Sequence, residues 1–410
     1  MPQDLTRRDW AISSIALAQN RRTSQSFLVV GAGVMGAWTA YHLLRAGHKV
    51  TLIDQYGPAN SRASSGGESR IIRARYGTDL LHTRSALRAL KLWTDFFNQV
   101  QKPHLFQKVG ALWMARDSDP RLQQHVQTMR QCGAQVEELT TADLRRRYPQ
   151  IQIDPNVSAI FEPNAGGLMA RQAVQAVVAQ FIKEGGAYRH AQVQTPSATG
   201  PLKFIQTHDG ERLTADTYLF ACGPWLKTLL PDVLGERIFP TRQVVFFFGP
   251  SPGDKRFEAP LMPAWGDAFS EVPWYGLPDL ESRGFKVAFG WLGKDFDPDR
   301  DPRSPEQSEI TSVRNYVAQR FPALASAPIV ETRVCQYENT ANTDFVIDHH
   351  PAHPNLWFAG GGSGHAFKHG PAIGEYTAAR LLQLEQPATE QRYSLQSKLT
   401  RLDSRTKQRP

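Results

Sequence analysis

Cysteine is scarce in this chain. Its 410 residues hold only Cys132, Cys222 and Cys335, odd in number, far apart and without a C-x-x-C pair. Neither a disulfide framework nor a zinc knuckle is indicated, and any special cysteine acts alone. Long apolar runs are missing too: no stretch reaches the roughly 18 uncharged residues that a membrane span needs, so none is expected. There is no internal repeat and no low-complexity tract. The formal charge of +8 lies mostly at the ends, with +2 on residues 1–26 and +5 on residues 391–410, leaving +1 for the body. Binding to nucleic acid requires a clustered basic face, so that partner is excluded and the terminal charge is read as solvated. His349, His350 and His353 sit among Pro351 and Pro354 in a turn-like stretch, and no metal is expected. Residues 361–365 fail the nucleophile-elbow pattern, because His365 stands where glycine is needed.

What is present is ordinary for a globular enzyme, with 41% apolar and 10% aromatic residues. The length calls for two or three domains. Thr6-Arg7-Arg8-Asp9-Trp10 precedes a short uncharged run and is similar to a twin-arginine export signal, but Arg21-Arg22 follows at once. A cytoplasmic protein with a plain extension over residues 1–26 is the expectation, and export the alternative.

Phe27-Leu28-Val29-Val30 reads as a buried parallel strand entering Gly31-Ala32-Gly33-Val34-Met35-Gly36, a G-x-G-x-x-G loop. The spacing predicts a helix over 34–46 and a second strand over 49–54 that ends on Asp54. In such a βαβ unit Gly31 makes the tight turn, Gly33 lets backbone approach a pyrophosphate and Gly36 lets helix pack on strand, with the helix N-terminus facing the anion. Val34 and Met35 open that helix, and Asp54 is placed to accept from ribose hydroxyls. A dinucleotide site is therefore expected. The small-residue run over 61–69, with Ser61, Arg62, Ser65 and Ser69, leads directly to Arg70 and Arg73. A nicotinamide enzyme would continue with another crossover helix; a loop that lets backbone lie against a flat ring favours a flavin, and a surface loop is the alternative.

Apolar strands over 217–221 and 356–359, each stopped by glycine, look like returns to the same sheet, with helices after them over 225–230 and 370–382. Strands are expected over 244–249 and 284–291, and a loop over 297–305. The resulting fold class is α/β: an FAD-binding Rossmann-like domain, discontinuous over 27–105, 165–236 and 332–390, plus a mixed-sheet substrate domain over 106–164 and 237–331, with a basic tail over 391–410.

The chain resembles the monomeric sarcosine oxidase and N-methyltryptophan oxidase family within the D-amino-acid oxidase superfamily. The resemblance rests on the glycine loop with Asp54, the 64–73 run, Tyr275-Gly276-Leu277-Pro278 leading to Lys286, and residues 335–368 with Cys335-Gln336-Tyr337-Glu338 and Gly362-Ser363-Gly364-His365-Ala366-Phe367-Lys368. It implies FAD bonded through a thioether to Cys335, with a buried free thiol as the alternative. It also implies Lys286 as the cation that assists oxygen reduction and Arg73 with Lys368 as the pair that holds a substrate carboxylate. Arg70 would lie beside the flavin ring, and Tyr275, Tyr337 and His365 would line the pocket. The implied reaction oxidises the C–N bond of a secondary or N-methylated amino acid to an imine and reduces O2 to hydrogen peroxide, in a monomer. A dehydrogenase with a quinone or protein acceptor is the alternative. Gly290 stands where several relatives carry histidine, so a pocket lacking that ring and accepting a larger amine is expected.

Overall fold

The computed structural model describes residues 24–196, 199–268, 270, 273–290, 293–384 and 391–398. The arginine pair of the export-like motif, Trp291 and residues 399–410 lie outside the described residues.

Strand Ser26–Val30, helix Val34–Arg45 and strand Lys49–Asp54 follow one another as the glycine pattern predicts. The two strands pair in parallel, with Val30 opposite Ile53. They sit inside a six-stranded sheet ordered Val346–His350, His353–Gly360, Thr217–Phe220, Ser26–Val30, Lys49–Asp54, Ala187–His190. Its pairs are parallel except at the first edge, where Val346–His350 runs antiparallel. Alternation decides which side each residue buries: Phe27 and Val29 join the core beneath helices Val34–Arg45, Ala170–Lys183 and Ala366–Leu381, while Leu28 and Val30 join Tyr218, Phe220, Leu226 and Leu230 on the other face. Both faces are covered, which is why these strands read as continuous apolar runs. Helix Ala366–Leu381 packs on helix Val34–Arg45 at Gly370 and Gly374, where a Cβ would fall 2.4 Å from Val34 and 2.5 Å from Trp38.

The second sheet has eight strands, in the order Ile329–Asn339, Phe239–Phe248, Phe285–Phe289, Trp274–Leu277, Ala264–Asp267, Ala111–Arg116, Val157–Glu162, Glu137–Leu139. It mixes antiparallel pairs with one parallel pair, Ala264–Asp267 against Ala111–Arg116. Its core gathers Phe246, Phe248, Trp265, Phe285 and Phe321. The break expected between 331 and 332 falls inside the strand Ile329–Asn339, which pairs with Phe239–Phe248 along its length. Cys335 and Tyr337 therefore project from the second sheet, and an eleven-residue strand cannot be divided between sheets without breaking its hydrogen-bond ladder. A third, three-stranded sheet, Ser69–Ile72, Gly166–Met169 and Phe106–Gln107, joins the two.

Residues 391–398, expected to be solvated, pack against the body. Tyr393 is fully buried and Lys398 nearly so. Arg392 bridges Asp79 and Asp344 at 2.5 and 2.6 Å, so part of the terminal charge is neutralised by specific partners.

Candidate active site

The glycine loop and the 64–73 run face one long cleft, with an empty volume of about 1480 Å³ including its open mouth. Gly31 has φ +104°, and a Cβ there would stand 2.4 Å from the Ala221 carbonyl oxygen. A Cβ at Gly36 would stand 1.9 Å from the Gly31 carbonyl oxygen. At Gly33 the nearest atom to an added Cβ is Ser65 Oγ at 3.5 Å, so this glycine leaves room on the cleft side. A positive-φ turn, a close loop contact and an open cleft side thus fall on Gly31, Gly36 and Gly33 respectively. The first helical N–H, that of Val34, donates to Ser65 Oγ at 3.0 Å, which ties the two loops together.

Asp54 lines the cleft and accepts from the backbone N–H groups of Ala32, Tyr56 and Gly57 at 2.8 to 2.9 Å. These bonds orient the carboxylate and leave lone pairs for ribose hydroxyls, while burial raises its pKa. Met35, Gly362 and Gly364 also line the cleft. Ser61 and Arg62 do not: the Ser61 carbonyl accepts from Arg333, and Arg62 lies over the Tyr56 ring and 3.6 Å from Asp299. The Arg62 carbonyl accepts from Gln336 Nε2, so both carbonyls tie the loop to strand Ile329–Asn339.

Gly66 and Gly67 explain the small-residue run. A Cβ at Gly66 would lie 1.8 Å from the Asn60 carbonyl oxygen, and one at Gly67 would lie 2.3 Å from Arg70 Nη1. Arg70 folds back under that loop and donates to Ser69 O, Ser64 O and Cys335 Sγ at 2.8, 2.6 and 3.4 Å. The guanidinium thus ties the loop to the Cys335 sulfur. Cys335 lines the cleft beside Tyr337, and the Tyr337 and Tyr275 hydroxyls are 3.1 Å apart. Burial raises the pKa of both phenols.

Lys286 is buried in the strand Phe285–Phe289 and donates to Ser69 O at 2.8 Å and Ser69 Oγ at 3.3 Å. Burial, aided by Arg70, pulls its pKa down to about 7. Lys286 and Cys335, from the eight-stranded sheet, and Arg70, from the three-stranded one, thus converge on Ser64–Gly66 and its flanks.

Arg73 and Lys368 meet at a residue that the sequence reading missed, Tyr76. The Arg73 guanidinium lies 4.6 Å from the Tyr76 ring centre and 5.2 Å from that of Trp113. Lys368 Nζ donates to the Tyr76 hydroxyl and to the His365 carbonyl, both at 2.9 Å. Burial and Arg73 hold the Lys368 pKa well below the usual lysine value. His365 spends both ring nitrogens locally, Nδ1 on Tyr76 at 3.2 Å and Nε2 on the Thr343 carbonyl at 2.9 Å. His369, also missed, reaches the Tyr76 hydroxyl at 2.6 Å and Ser85 Oγ at 2.9 Å. A tyrosine three residues after Arg73 and a histidine beside Lys368 were the available signals. The sequence could not show that they touch.

Gly290 stands against backbone. It is exposed at the end of its strand, and an added Cβ would meet the Pro273 carbonyl oxygen at 2.9 Å. The glycine answers a backbone contact there; like Arg73, Tyr275, Lys286, His365 and Lys368, it is not among the residues that line the cleft itself.

Asp79, His82 and Asp344 offer ligand atoms within 4.8 Å of one another. Arg392 already bridges the two carboxylates, so a cation of the chain itself holds that cluster together.

Glycine cradle, terminal acid and flavin-type loop define a dinucleotide-binding oxidoreductase fold whose residues fit FAD. Residues 26–380 match the family model described as FAD dependent oxidoreductase, of the D-amino-acid oxidase type. The chain belongs to that family. It is 30% identical over 360 residues to the monomeric sarcosine oxidase of Bacillus sp. (strain B-0618), covering 85% of this chain and 90% of that one. It is 28% identical over 367 residues to the N-methyl-L-tryptophan oxidase of Salmonella typhi, covering 86% and 93%. In fold it is similar to amadoriase I, a fructosyl amine:oxygen oxidoreductase of Aspergillus fumigatus, with TM-score 0.76, 20% identity and coverage of 95% and 92%. The protein is an FAD-dependent oxidoreductase. No described helix is long and apolar enough to cross a membrane.

Proposed function

We propose that the protein is a monomeric amine oxidase that takes a secondary or N-methylated amino acid to its imine and reduces O2 to hydrogen peroxide. The observation that carries this reading is the pair of cations on one tyrosine, Arg73 over the Tyr76 ring and Lys368 on its hydroxyl. A planar fork beside a point charge suits a carboxylate. The names of the sarcosine and N-methyltryptophan oxidases support the substrate class.

FAD, when bound, supplies the two-electron acceptor, and Cys335, which lines the cleft, would bond it. Gly31, Gly33 and the N–H end of helix Val34–Arg45 would hold its pyrophosphate, and Asp54 a ribose. Arg73 and Lys368 orient the substrate by its carboxylate, which fixes where the amine and α-carbon stand. Neither His365 nitrogen is free to act as a base, which fits binding of a neutral amine that needs no strong base. Lys286 brings positive charge to the loop from the second sheet, where it would stabilise anionic reduced oxygen.

Anaerobic mixing of the purified yellow protein with a panel of N-methyl and cyclic amino acids tests this. Bleaching by at least one member is expected, with hydrogen peroxide formed once air is admitted. No bleaching across the panel sinks the amine reading. Bleaching without peroxide replaces the oxidase with a dehydrogenase.

A further inference from the structure

Tyr76 touches both cations of the carboxylate site, and its hydroxyl has three polar neighbours: Lys368 Nζ at 2.9 Å, His369 Nε2 at 2.6 Å and His365 Nδ1 at 3.2 Å. Donor counting settles the directions. The Thr343 carbonyl only accepts, so His365 carries its proton on Nε2 and its Nδ1 is an acceptor. The Tyr76 O–H therefore donates to His365 Nδ1. Its oxygen can then accept twice, from Lys368 and from His369 Nε2–H, and Ser85 O–H serves His369 Nδ1. In this arrangement every polar atom of the group has its partner. Two of the three Lys368 protons are committed, to Tyr76 and to the His365 carbonyl. One remains.

We propose that Tyr76 is a positioning residue of the carboxylate site, its ring seating Arg73 and its hydroxyl, locked by His365 and His369, aiming the last Lys368 proton at the substrate. This inference rests on the amino-acid reading above. The groups facing Lys368 are Arg73 and Tyr76 from the segment after strand Ser69–Ile72, Glu162 from strand Val157–Glu162, and His365 and His369 from its own surroundings, with His82 of helix Leu80–Gln99 behind them. Trp93 of that helix donates to the Lys368 carbonyl at 3.1 Å. Of these, Tyr76 is the side chain that accepts from the ammonium, so its hydroxyl favours the charged form that a carboxylate needs.

The test uses the holoenzyme and acetate, a carboxylate without an amine, whose binding is read from the change in the visible absorbance of the flavin. Tyr76→Phe keeps the ring and removes the hydroxyl. Acetate should bind about tenfold more weakly, the size of one lost hydrogen bond to a charged group, and the alkaline limb of binding should move to lower pH. In a Lys368→Met background the same change should cost nothing further, since the coupling runs through Lys368. Unchanged affinity and limb in Tyr76→Phe, an equal loss in both backgrounds, or failure of the wild type to bind acetate each overturn the inference. Acetate binding with the expected coupling, but no bleaching by any amine, would defeat the amine-oxidase reading and leave this one standing. Bleaching with an additive cycle would do the reverse.

Discussion

Lys286 donates to the backbone carbonyl of Ser69 over 2.8 Å. The bond joins the middle of a strand in the eight-stranded sheet to the residue just before Arg70, so the two cations of the flavin-type loop are fixed relative to each other by backbone. Burial then brings the titration of Lys286 to neutral pH, with its pKa pulled down to about 7.

The sign of the resulting pH dependence follows. Lys286 is charged below its pKa and loses that charge as pH rises through it, and negative charge on a neighbouring flavin would move the midpoint upward. Reoxidation of the reduced enzyme by O2, followed by stopped flow, should therefore slow with rising pH along a limb at or above pH 7. Lys286→Met should be slower by about 100-fold, the order expected for a lost electrostatic stabiliser, and should lack the limb. Equal slowing of the anaerobic reduction would contradict a role confined to oxygen.

Cys335 lines the cleft and accepts from the Arg70 guanidinium at 3.4 Å, which fixes the sulfur against the 64–73 loop. After acid precipitation the wild-type pellet should stay yellow and that of Cys335→Ser should be colourless. A colourless wild-type pellet refutes the thioether.

Glu338 lies buried against the cleft, with Oε1 accepting from Gly361 N–H at 2.9 Å. Burial pushes its pKa up to about 7, which is above the usual glutamate value. The folded state thus holds a proton that the unfolded state releases first, so this group costs stability as pH rises from the ordinary carboxylate range through 7. Glu338→Gln keeps the acceptor and removes the charge. Its Tm should match the wild type at pH 5 and exceed it at pH 8; a thermal-shift series over pH detects this, and a lower Tm at pH 8 would contradict it.

Arg392 ties residues 391–398 to Asp79 and Asp344. Arg392→Ala leaves two carboxylates facing each other and should cost about 1.5–3 kcal/mol by urea unfolding, the range for hydrogen bonds to charged groups. Asp79 is held below the usual aspartate range mainly against burial, by His82 and Arg392. Its stabilising contribution is present at neutral pH and is lost as pH falls through the acid range, so wild type and variant should converge in acid. A constant difference down to low pH would show that the arginine acts through packing alone.

Much of the fold was legible because its signals are local. The glycine loop, its helix and Asp54 lie within 24 residues, and hydrogen-bonded geometry over so short a span leaves few alternatives. The buried strands showed as apolar runs. The strand bearing Cys335 falls within the 332–390 segment expected to belong to the cofactor domain, but its pairing partner lies about 90 residues upstream, in Phe239–Phe248. At Gly290 the sequence showed a missing ring and hid the Pro273 carbonyl that a Cβ would strike. Tyr76 and His369 carried no motif of their own.

The sequence by itself determined that this chain binds a dinucleotide, and its 64–73 run together with residues 335–368 pointed to a flavin. Those conclusions follow from backbone needs, since glycine and small residues at fixed spacing answer to φ and close approach, which are local properties. The tertiary structure alone decided that Arg73 and Lys368, 295 positions apart in the chain, share one tyrosine, and that His365 is spent on its neighbours. Hydrogen-bond partnership and burial depend on what long-range packing brings within 3 Å, and no spacing rule encodes that.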